Sequence, residues 1–534
     1  MKVCLIKPPS ISSITSVGQD SSLPLGLAYL ASSVQSAGYE LCIIDAIGEA
    51  ITQYSYLQLK GRKVIAHGLT YEEILERIDA DTEVIGVSCM FSNSWLSDRE
   101  LLKLIRLSFP NTKIIIGGEH ATALPEYIIN NCKEIDYVIL GEGEETIVDL
   151  LGTLRDGKDV KDVKGIVYAD EFTGEFIKTE RRPLIEDIDS IPKPAWTYFK
   201  VEQYISHSLI HGVNLGPTMA MLMTRSCPYE CTFCSCPNMW TNKWRARTPQ
   251  LIIDEMIEYI EKYKVTNFDF YDLSAIVNRK WIKEFCTLLI EKNLNITWQL
   301  PSGVRSEIID YEIATLIYKS GGFRAIGYAP ETGSQAEQKR LKKNVTIKSI
   351  LKSMKASYKA GLHTKANLIF GFPGQTWKDV ISTAAFVVKL AWVGLIEIAP
   401  FPYSPYPGSE IFRKLLAEGK IEINDKYFLN LLSINDPVQT VSYSDRFSSR
   451  SLKLIIFSML CIFYLFNFLF RPQRFFVLLY QILSGDTSTR ITYSIANVRR
   501  RRVVVRLLKA SNGSVVQIPH LYWPSNKKSF KYKR

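Results

Sequence analysis

Nothing in this chain marks it for export or for disulfide bonding. No charged leader precedes an apolar run; Met1-Lys2-Val3-Cys4-Leu5-Ile6 opens directly on a strand-like stretch. The ten cysteines form no disulfide framework, because Cys4, Cys42, Cys89, Cys132, Cys286 and Cys461 each stand alone. That pattern suits a reducing cytosol, and a cytoplasmic location is expected. No G-x-G-x-x-G follows the first strand, so a nicotinamide site is not expected. No second Cys/His cluster accompanies the one cysteine-rich run, which leaves a zinc knuckle without its usual partner.

What is present is concentrated in Arg225-Ser226-Cys227-Pro228-Tyr229-Glu230-Cys231-Thr232-Phe233-Cys234. Cys227, Cys231 and Cys234 stand at C-x3-C-x2-C. Thiolates are soft ligands that select zinc, copper(I) or iron–sulfur clusters. Three thiolates leave one iron of a 4Fe–4S cube without a protein ligand, and an open metal position is where a substrate binds. Cys236 could complete a four-ligand zinc site instead, and otherwise stands beside the cluster as a bystander. With zinc there, the chain would be a binding protein whose basic tail holds nucleic acid.

The first 155 residues alternate short apolar runs with helical patterns. Strands are expected at Val3–Ile6, Leu41–Ile44, Val84–Ser88, Lys113–Ile116 and Tyr137–Leu140. Helices are expected at Leu25–Ala37, Leu96–Leu107, Pro125–Asn131 and Glu145–Leu154. Apolar strands without polar alternation, separated by helices, indicate a parallel sheet covered on both faces. This is an α/β, doubly wound (Rossmann-like) domain, and its ligands bind outside the carboxyl ends of the strands. Those ends carry Ser88, Gly117-Gly118-Glu119-His120 and Gly141-Glu142-Gly143-Glu144. Residues 156–215 change texture: a hairpin at 165–178, then a proline-rich linker.

Residues 216–415 repeat strand then helix six times, short of a full eightfold barrel. The expected strands are Met219–Thr224, Phe268–Tyr271, Ile296–Leu300, Ala325–Tyr328, Lys365–Phe370 and Ile396–Pro400. Barrels of this kind place chemistry on the loops at the strand C-termini. Cys227–Cys234, Asp272, Ser302, Arg305, Glu331 and Asn367 all fall at such positions.

The cysteine run resembles the signature of the radical S-adenosylmethionine (radical SAM) enzymes, whose cores are partial (β/α)6 barrels. Phe233 stands where that family keeps an aromatic before the last cysteine. The resemblance implies that Cys227, Cys231 and Cys234 are the metal ligands and the catalytic centre of a 4Fe–4S cluster that cleaves S-adenosyl-L-methionine reductively to a 5′-deoxyadenosyl radical. It implies an external electron donor such as flavodoxin or ferredoxin. Ala329-Pro330-Glu331-Thr332-Gly333-Ser334 is similar to the family's G-x-E-S-G-S segment, implying that Glu331 meets polar groups of the cofactor. Asp272 lies near the family's contact to the methionyl amine, and Arg305 could pair with a carboxylate two-pronged. For Asp272, Arg305 and Glu331 a structural salt bridge or loop cap is the other reading. Gly371-Phe372-Pro373-Gly374-Gln375-Thr376 looks like the family's G-F-P-G-E-T turn, with Gln375 in place of Glu, and is expected to be architectural.

The first 155 residues resemble the cobalamin-binding domain ahead of many radical SAM cores. Pro8-Pro9, Pro24-Leu25-Gly26-Leu27-Ala28, the Gly-Gly-x-His-x-Thr run and the Gly-Glu-Gly-Glu-x-Thr run carry that likeness. It implies cobalamin contacts at Ser88, Gly117, Gly118, Glu119, His120, Gly141, Glu142, Gly143 and Glu144. The D-x-H-x-x-G whose histidine ligates cobalt elsewhere is absent, so a base-off cofactor without that ligand is implied, with His120 a pocket or capping residue. The expected activity is methylation of an unactivated carbon of a small-molecule, hydrophobic substrate. An anaerobic oxidative cyclisation or other radical rearrangement, similar to the reaction of Mg-protoporphyrin monomethyl ester cyclase, is the alternative. Nucleic acid is not an expected partner.

Residues 416–534 form a helical, apolar and basic extension. Leu454–Phe470 is free of charge over seventeen residues, then Arg471-Pro472-Gln473-Arg474 precedes a second apolar run. A membrane span needs about twenty apolar residues. Two readings stand for 454–483: an interfacial hairpin at the inner face of the membrane, or a helix buried against the barrel. The tail Lys527-Lys528-Ser529-Phe530-Lys531-Tyr532-Lys533-Arg534 contributes to the net charge of +11 and fits an anionic leaflet or a solvated terminus.

Overall fold

The computed structural model describes every residue except 19–20, 171–172, 306, 323–325, 521–522 and 524–534. The basic tail therefore lies outside the described residues.

Seven strands build the first sheet: β1 (Lys2–Lys7), β2 (Glu40–Asp45), β3 (Val84–Ser88), β4 (Lys113–Gly117), β5 (Tyr137–Ile139), β6 (Ile166–Ala169) and β7 (Phe176–Lys178). Their spatial order is β2-β1-β3-β4-β5-β6-β7. The first five are parallel in the order 2-1-3-4-5, and β6 and β7 are antiparallel additions. The hairpin that the sequence assigns to the linker thus continues the first sheet. Alternate residues of β1 serve two cores. Val3 and Leu5 pack with α1 (Leu25–Ser36), while Cys4 and Ile6 pack with α2 (Trp95–Ser108). Helices on both faces explain why the strands are apolar throughout. A third helix, α3 (Glu144–Arg155), follows β5 directly.

One element has no sequence-level expectation. Gln53–Leu59 and Arg62–His67 form a hairpin, flanked by Ser10–Ser12 and by Val516–Gln517 from the far end of the chain. The pairing spans more than 450 residues, so no local pattern announces it.

The second sheet is a six-stranded parallel array in sequence order: β8 (Thr218–Met221), β9 (Asn267–Phe270), β10 (Thr297–Val304), β11 (Ile326–Glu331), β12 (Thr364–Phe370) and β13 (Glu397–Pro402). Between them run α4 (Pro249–Tyr263), α5 (Arg279–Lys292), α6 (Tyr311–Lys319), α7 (Ile347–Ala360) and α8 (Trp377–Val393). Along β12, Ala366, Leu368 and Phe370 are buried toward the helices. Lys365, Asn367 and Ile369 keep part of their surface. The partial barrel therefore has an open lumen rather than a packed one.

After two short helices (Glu410–Ala417 and Asp425–Leu431) come three longer ones: α9 (Ser449–Phe470), α10 (Gln473–Ser484) and α11 (Arg490–Ala510). α9 lies on α8 through Leu452, Ile455, Met459 and Phe463. The start of α11 closes the barrel floor, where the amides of Arg490 and Ile491 donate to Glu397 at 3.0 and 3.3 Å.

Candidate active site

The cysteine loop leaves the barrel through a short ribbon, Thr224–Arg225 paired antiparallel with Arg245–Ala246. Ser226 is fully buried in the left-handed region at φ 74°, and its hydroxyl donates to the carbonyls of Trp240 (3.1 Å) and Thr241 (2.9 Å). Thr232 N donates to Leu341 O at 3.1 Å, and Cys234 N to Cys231 O at 3.0 Å. The loop is thus held at both ends by the backbone, with its three thiols half-buried and free of disulfides.

Burial raises the Cys227 thiol and pushes Cys231 up to about 11. Cys234 is lowered, because Cys236 donates a hydrogen bond to it. Cys236 is itself raised by that bond, which makes it a support for Cys234. Among the described residues, no three His, Cys, Asp or Glu side chains are gathered at metal-binding distance. The donor set nevertheless suits a cluster: three soft ligands on one eight-residue loop, with two cations beside them. Those cations are Lys343 and Arg305, whose charges favour the thiolates of Cys227 and Cys231.

Around the loop stand several of the expected residues. Glu331 ends β11 at φ 63°, a left-handed conformation rare outside glycine, and forms a 2.9 Å ion pair with Lys343. Burial works against the charge of Lys343, but Glu331 and Cys231 together outweigh it and its pKa is raised. The Arg305 guanidinium lies 3.5 Å from the Tyr229 ring centroid, donates through Nε to Glu307 at 2.7 Å, and donates to Lys343 O at 2.6 Å. Its Nη1 is buried without a partner, the kind of orphan donor that a carboxylate ligand satisfies. Phe233 sits 5.6 Å from Phe372 and 5.7 Å from the Lys343 ammonium. Asn367 lies half-buried on the lumen side of β12.

Asp272 differs from expectation. Its carboxylate is buried and accepts from Thr224 N (2.6 Å), Thr224 Oγ1 (2.5 Å) and Met223 N (3.2 Å). Burial raises it to about 6. It fixes the entry to the cysteine loop, and little of the carboxylate remains for a ligand.

The first domain's strand ends also divide. Ser88 and Gly117 are register partners at the ends of β3 and β4, and both are half-buried. Gly118 adopts φ 113°, and a Cβ there would stand 2.7 Å from the Cys89 carbonyl oxygen. Met90 and Phe91 follow β3 and remain 36% and 68% exposed; sequence reading missed both. With Gly117 they present backbone and apolar side chains at the sheet's carboxyl edge, a surface that suits a flat macrocycle. His120 does not reach that edge. It is buried 4.8 Å from Trp95 and 5.7 Å from Phe428, its Nδ1 is 2.9 Å from Ser92 Oγ, and burial lowers its pKa to about 3. Its environment suits a packed core imidazole, which agrees with the missing D-x-H-x-x-G.

Glu142 and Glu144 depart most from the expected cofactor contact. Glu142 accepts from Arg225 (3.1 Å), Arg245 (2.9 Å) and Ile185 N (2.9 Å), and Glu144 binds the other arm of Arg225. Burial alone would raise Glu142, but the two guanidinium groups hold it below the usual range. Gly141 lies close to the Met239 carbonyl, and Gly143 close to Leu30. This run docks the first sheet onto the cysteine ribbon. Glu119 does the same at the far end of the loop, where Ser235 Oγ donates to it.

A parallel sheet whose strand ends are clamped over a cysteine loop at the mouth of a partial barrel defines an iron–sulfur enzyme with a second cofactor domain. Residues 14–151 match the B12 binding domain and residues 221–387 the radical SAM superfamily. The chain belongs to the cobalamin-binding radical SAM enzymes, and its cofactors are a 4Fe–4S cluster, S-adenosyl-L-methionine and cobalamin. It is 28% identical over 419 residues to an uncharacterized methyltransferase of Pyrococcus horikoshii, covering 78% of this chain and 83% of that one. It is 27% identical to the cytidylyl-2-hydroxyethylphosphonate methyltransferase of Streptomyces wedmorensis (76% and 80% covered). It is 26% identical to the anaerobic magnesium-protoporphyrin IX monomethyl ester cyclase of Cereibacter sphaeroides (76% and 62%). Its fold resembles that of the cobalamin-dependent S-adenosylmethionine radical enzyme OxsB, with a TM-score of 0.62 at 15% identity over 98% of this chain and 82% of that one.

Proposed function

We propose that this enzyme transfers a methyl group to an unactivated carbon of a small molecule held in the barrel lumen. One observation carries the reading: Arg225 and Ser235, which bracket the cysteine loop, are bound by Glu142, Glu144 and Glu119 from the strand ends of the first sheet. A cofactor at those strand ends and one at the cysteines would then face a common space. When bound, cobalamin supplies the methyl group, and the cluster with S-adenosylmethionine supplies the one-electron chemistry that opens a C–H bond. The chain's own share is placement. Cys227, Cys231 and Cys234 would hold the cluster. Arg305, through its orphan Nη1, would take the S-adenosylmethionine carboxylate, and Glu331 with Lys343 would meet its polar groups. Electrons come from an external reductant, for which a flavodoxin or ferredoxin is the proposed donor. Methylation is preferred over cyclisation because the two methyltransferases named above are matched over 83% and 80% of their own length, and the cyclase over 62%.

The test uses anaerobically reconstituted enzyme, deuteriomethyl-labelled S-adenosylmethionine and fractionated small-molecule extract. Labelled methyl in a product is expected. Formation of 5′-deoxyadenosine with an unlabelled, dehydrogenated or cyclised product would replace methylation by the cyclase reading.

We also infer that α9 and α10 rest on a membrane surface. α9 has a mean hydropathy of 2.1 over its most apolar window. One face packs on α8, while Leu454, Phe457, Leu465, Leu469, Phe475, Phe476 and Leu483 remain exposed. A surface this large and apolar on one side favours attachment over burial in the chain's own core.

A further inference from the structure

We propose that the lumen floor is a subsite for an anionic, hydrogen-bonding end of the substrate, held by Lys365 together with His211 and Ser302. The proposal rests on the function argued above.

Lys365 is the second residue of β12 and points into the lumen. Its stem crosses Gly327 of β11: a Cβ on that glycine would stand 2.9 Å from Lys365 Cε, 3.2 Å from Pro301 O and 3.4 Å from Gly303 Cα. The ammonium is thereby carried toward the 301–303 segment of β10. There His211 Nε2 lies 3.2 Å from Ser302 Oγ, and the His211 ring stands edge-on to Tyr271 with centroids 5.5 Å apart. His211 and Ser302 both have exposed side chains, yet surrounding protein drives the His211 pKa down to about 3. A group that is accessible and desolvated at once faces an internal chamber rather than bulk water. A cavity lined by Gly212, Pro301, Lys365, Glu397, Thr489 and Arg490 adjoins it.

The ammonium of Lys365 has acidic groups near it but, among the described residues, none in contact with it. Burial, and then the charge of Arg490, lowers Lys365 to about 8. Glu397 and Asp269 are the acidic neighbours, and both are already engaged. Glu397 accepts from the amides of Arg490 and Ile491. Asp269 accepts from Gly212 N at 2.8 Å and from Asn267 at 3.2 Å. Among the described residues Lys365 makes no ion pair within 4.0 Å. Glu397 and Asp269 act on the ammonium only from a distance; an enclosed ammonium with no direct ion-pair contact is costly, and a ligand carboxylate or phosphate-type group that touches it lowers that cost. Lys365 and the end of β12 at Phe370 are five residues apart, about 16 Å of strand at roughly 3.3 Å per residue. The substrate is therefore elongated, with its anion at the floor and its reacting carbon near the mouth.

The experiment measures thermal unfolding of the reconstituted enzyme against inorganic phosphate, methylphosphonate and uncharged trimethyl phosphate. Wild type is expected to show a saturable rise with both anions and none with the neutral ester. Lys365→Met is expected to raise the apparent Kd at least tenfold, and Gly327→Ala, which displaces the stem, to do the same. Lys352→Met, an exposed lysine on α7, should leave it unchanged. Iron content equal to wild type certifies each variant as folded; if Lys365→Met is not, Gly327→Ala carries the comparison. No saturable rise in wild type, or equal Kd values in wild type and Lys365→Met, overturns the subsite. Loss of labelled-methyl transfer in wild type would instead overturn the methylation reading, so the two failures are separable.

Discussion

Glu142 Oε1 lies 3.1 Å from Nη1 of Arg225, and both side chains are almost completely buried. The other oxygen of the same carboxylate takes Arg245 at 2.9 Å, so one glutamate of the first sheet binds both strands of the ribbon that carries the cysteines. The first sheet and the ribbon that leads to the cysteines are joined at this point. A buried ion pair is costly to form and more costly to break from one side.

Arg225→Met should therefore destabilise the protein by about 3–5 kcal/mol, since it strands Glu144 and half of Glu142. Glu142→Gln should cost less, because an amide still accepts one bond and Arg225 retains Glu144. Urea denaturation of the two single variants and the double variant should give a coupling energy of about 0.5–3 kcal/mol. Iron content should persist in Arg225→Met while methyl transfer falls. Additive effects within error would show that the pair does not act as the clamp.

The cysteine set makes a separate prediction. Wild-type protein reconstituted without oxygen should hold about four irons per chain. Cys227→Ala/Cys231→Ala/Cys234→Ala should lose them and keep its cobalt, because the cobalamin edge belongs to another sheet. Cys236→Ala should keep its iron. One zinc and no iron in wild type would sink the radical reading.

Most of the architecture was legible because period and composition are local. The five parallel strands of the first sheet and the six of the barrel lie within a few residues of their expected positions. The three-cysteine spacing is likewise a local fact. What escaped was long-range. The glutamates of Gly141-Glu142-Gly143-Glu144 were read as cofactor contacts, and their partner Arg225 is more than eighty residues away. His120 was read with its glycines, although its side chain turns inward against Trp95. His211 carries no motif and becomes visible only when Ser302 and Lys365 are seen beside it. The hairpin at 53–67 has no glycine pair at its turn to mark it, and its outer strand arrives from residue 516.

Gln375 offers a test of the turn after β12. Its Oε1 accepts from Gly371 N at 2.7 Å, and its Nε2 donates to both oxygens of Glu337 at 3.0 and 2.9 Å. Glu337 is fully buried, and burial raises its pKa above 4.5. The folded state thus holds the Glu337 proton more tightly than the unfolded state. That contribution to stability is present at low pH and lost as pH rises through the raised value. Gln375→Glu puts a second carboxylate against the first, in place of a donor. It should cost about 1–3 kcal/mol at neutral pH, with the deficit shrinking toward pH 4.5. A deficit independent of pH between 4.5 and 7 would mean that the loss comes from the turn and not from the charge pair.

The exposed face of α9 and α10 is tested with vesicles. Residues 446–485 contain no Asp or Glu, while Arg446 and Arg450 stand exposed beside the start of α9. Arg471 and Arg474 are not free to meet lipid, because they donate to the carbonyls of Ala391, Trp392, Gly394 and Leu395 at the end of α8. They anchor the turn between the two helices to the barrel, which keeps the apolar faces of both directed outward. Trp392, 67% exposed, packs edge-on against Phe470 and extends the same surface. Cosedimentation with anionic vesicles should retain the full chain, and high salt should weaken retention without abolishing it. Burying a Leu or Phe side chain is worth about 1.5–3 kcal/mol. Leu465→Asp/Phe476→Asp should therefore lower vesicle affinity more than tenfold, with iron content and cobalt content unchanged. If the double variant binds vesicles like wild type, the face does not meet lipid. If wild type ignores vesicles but sediments as a dimer that the variant cannot form, the occupant is a second copy of the chain.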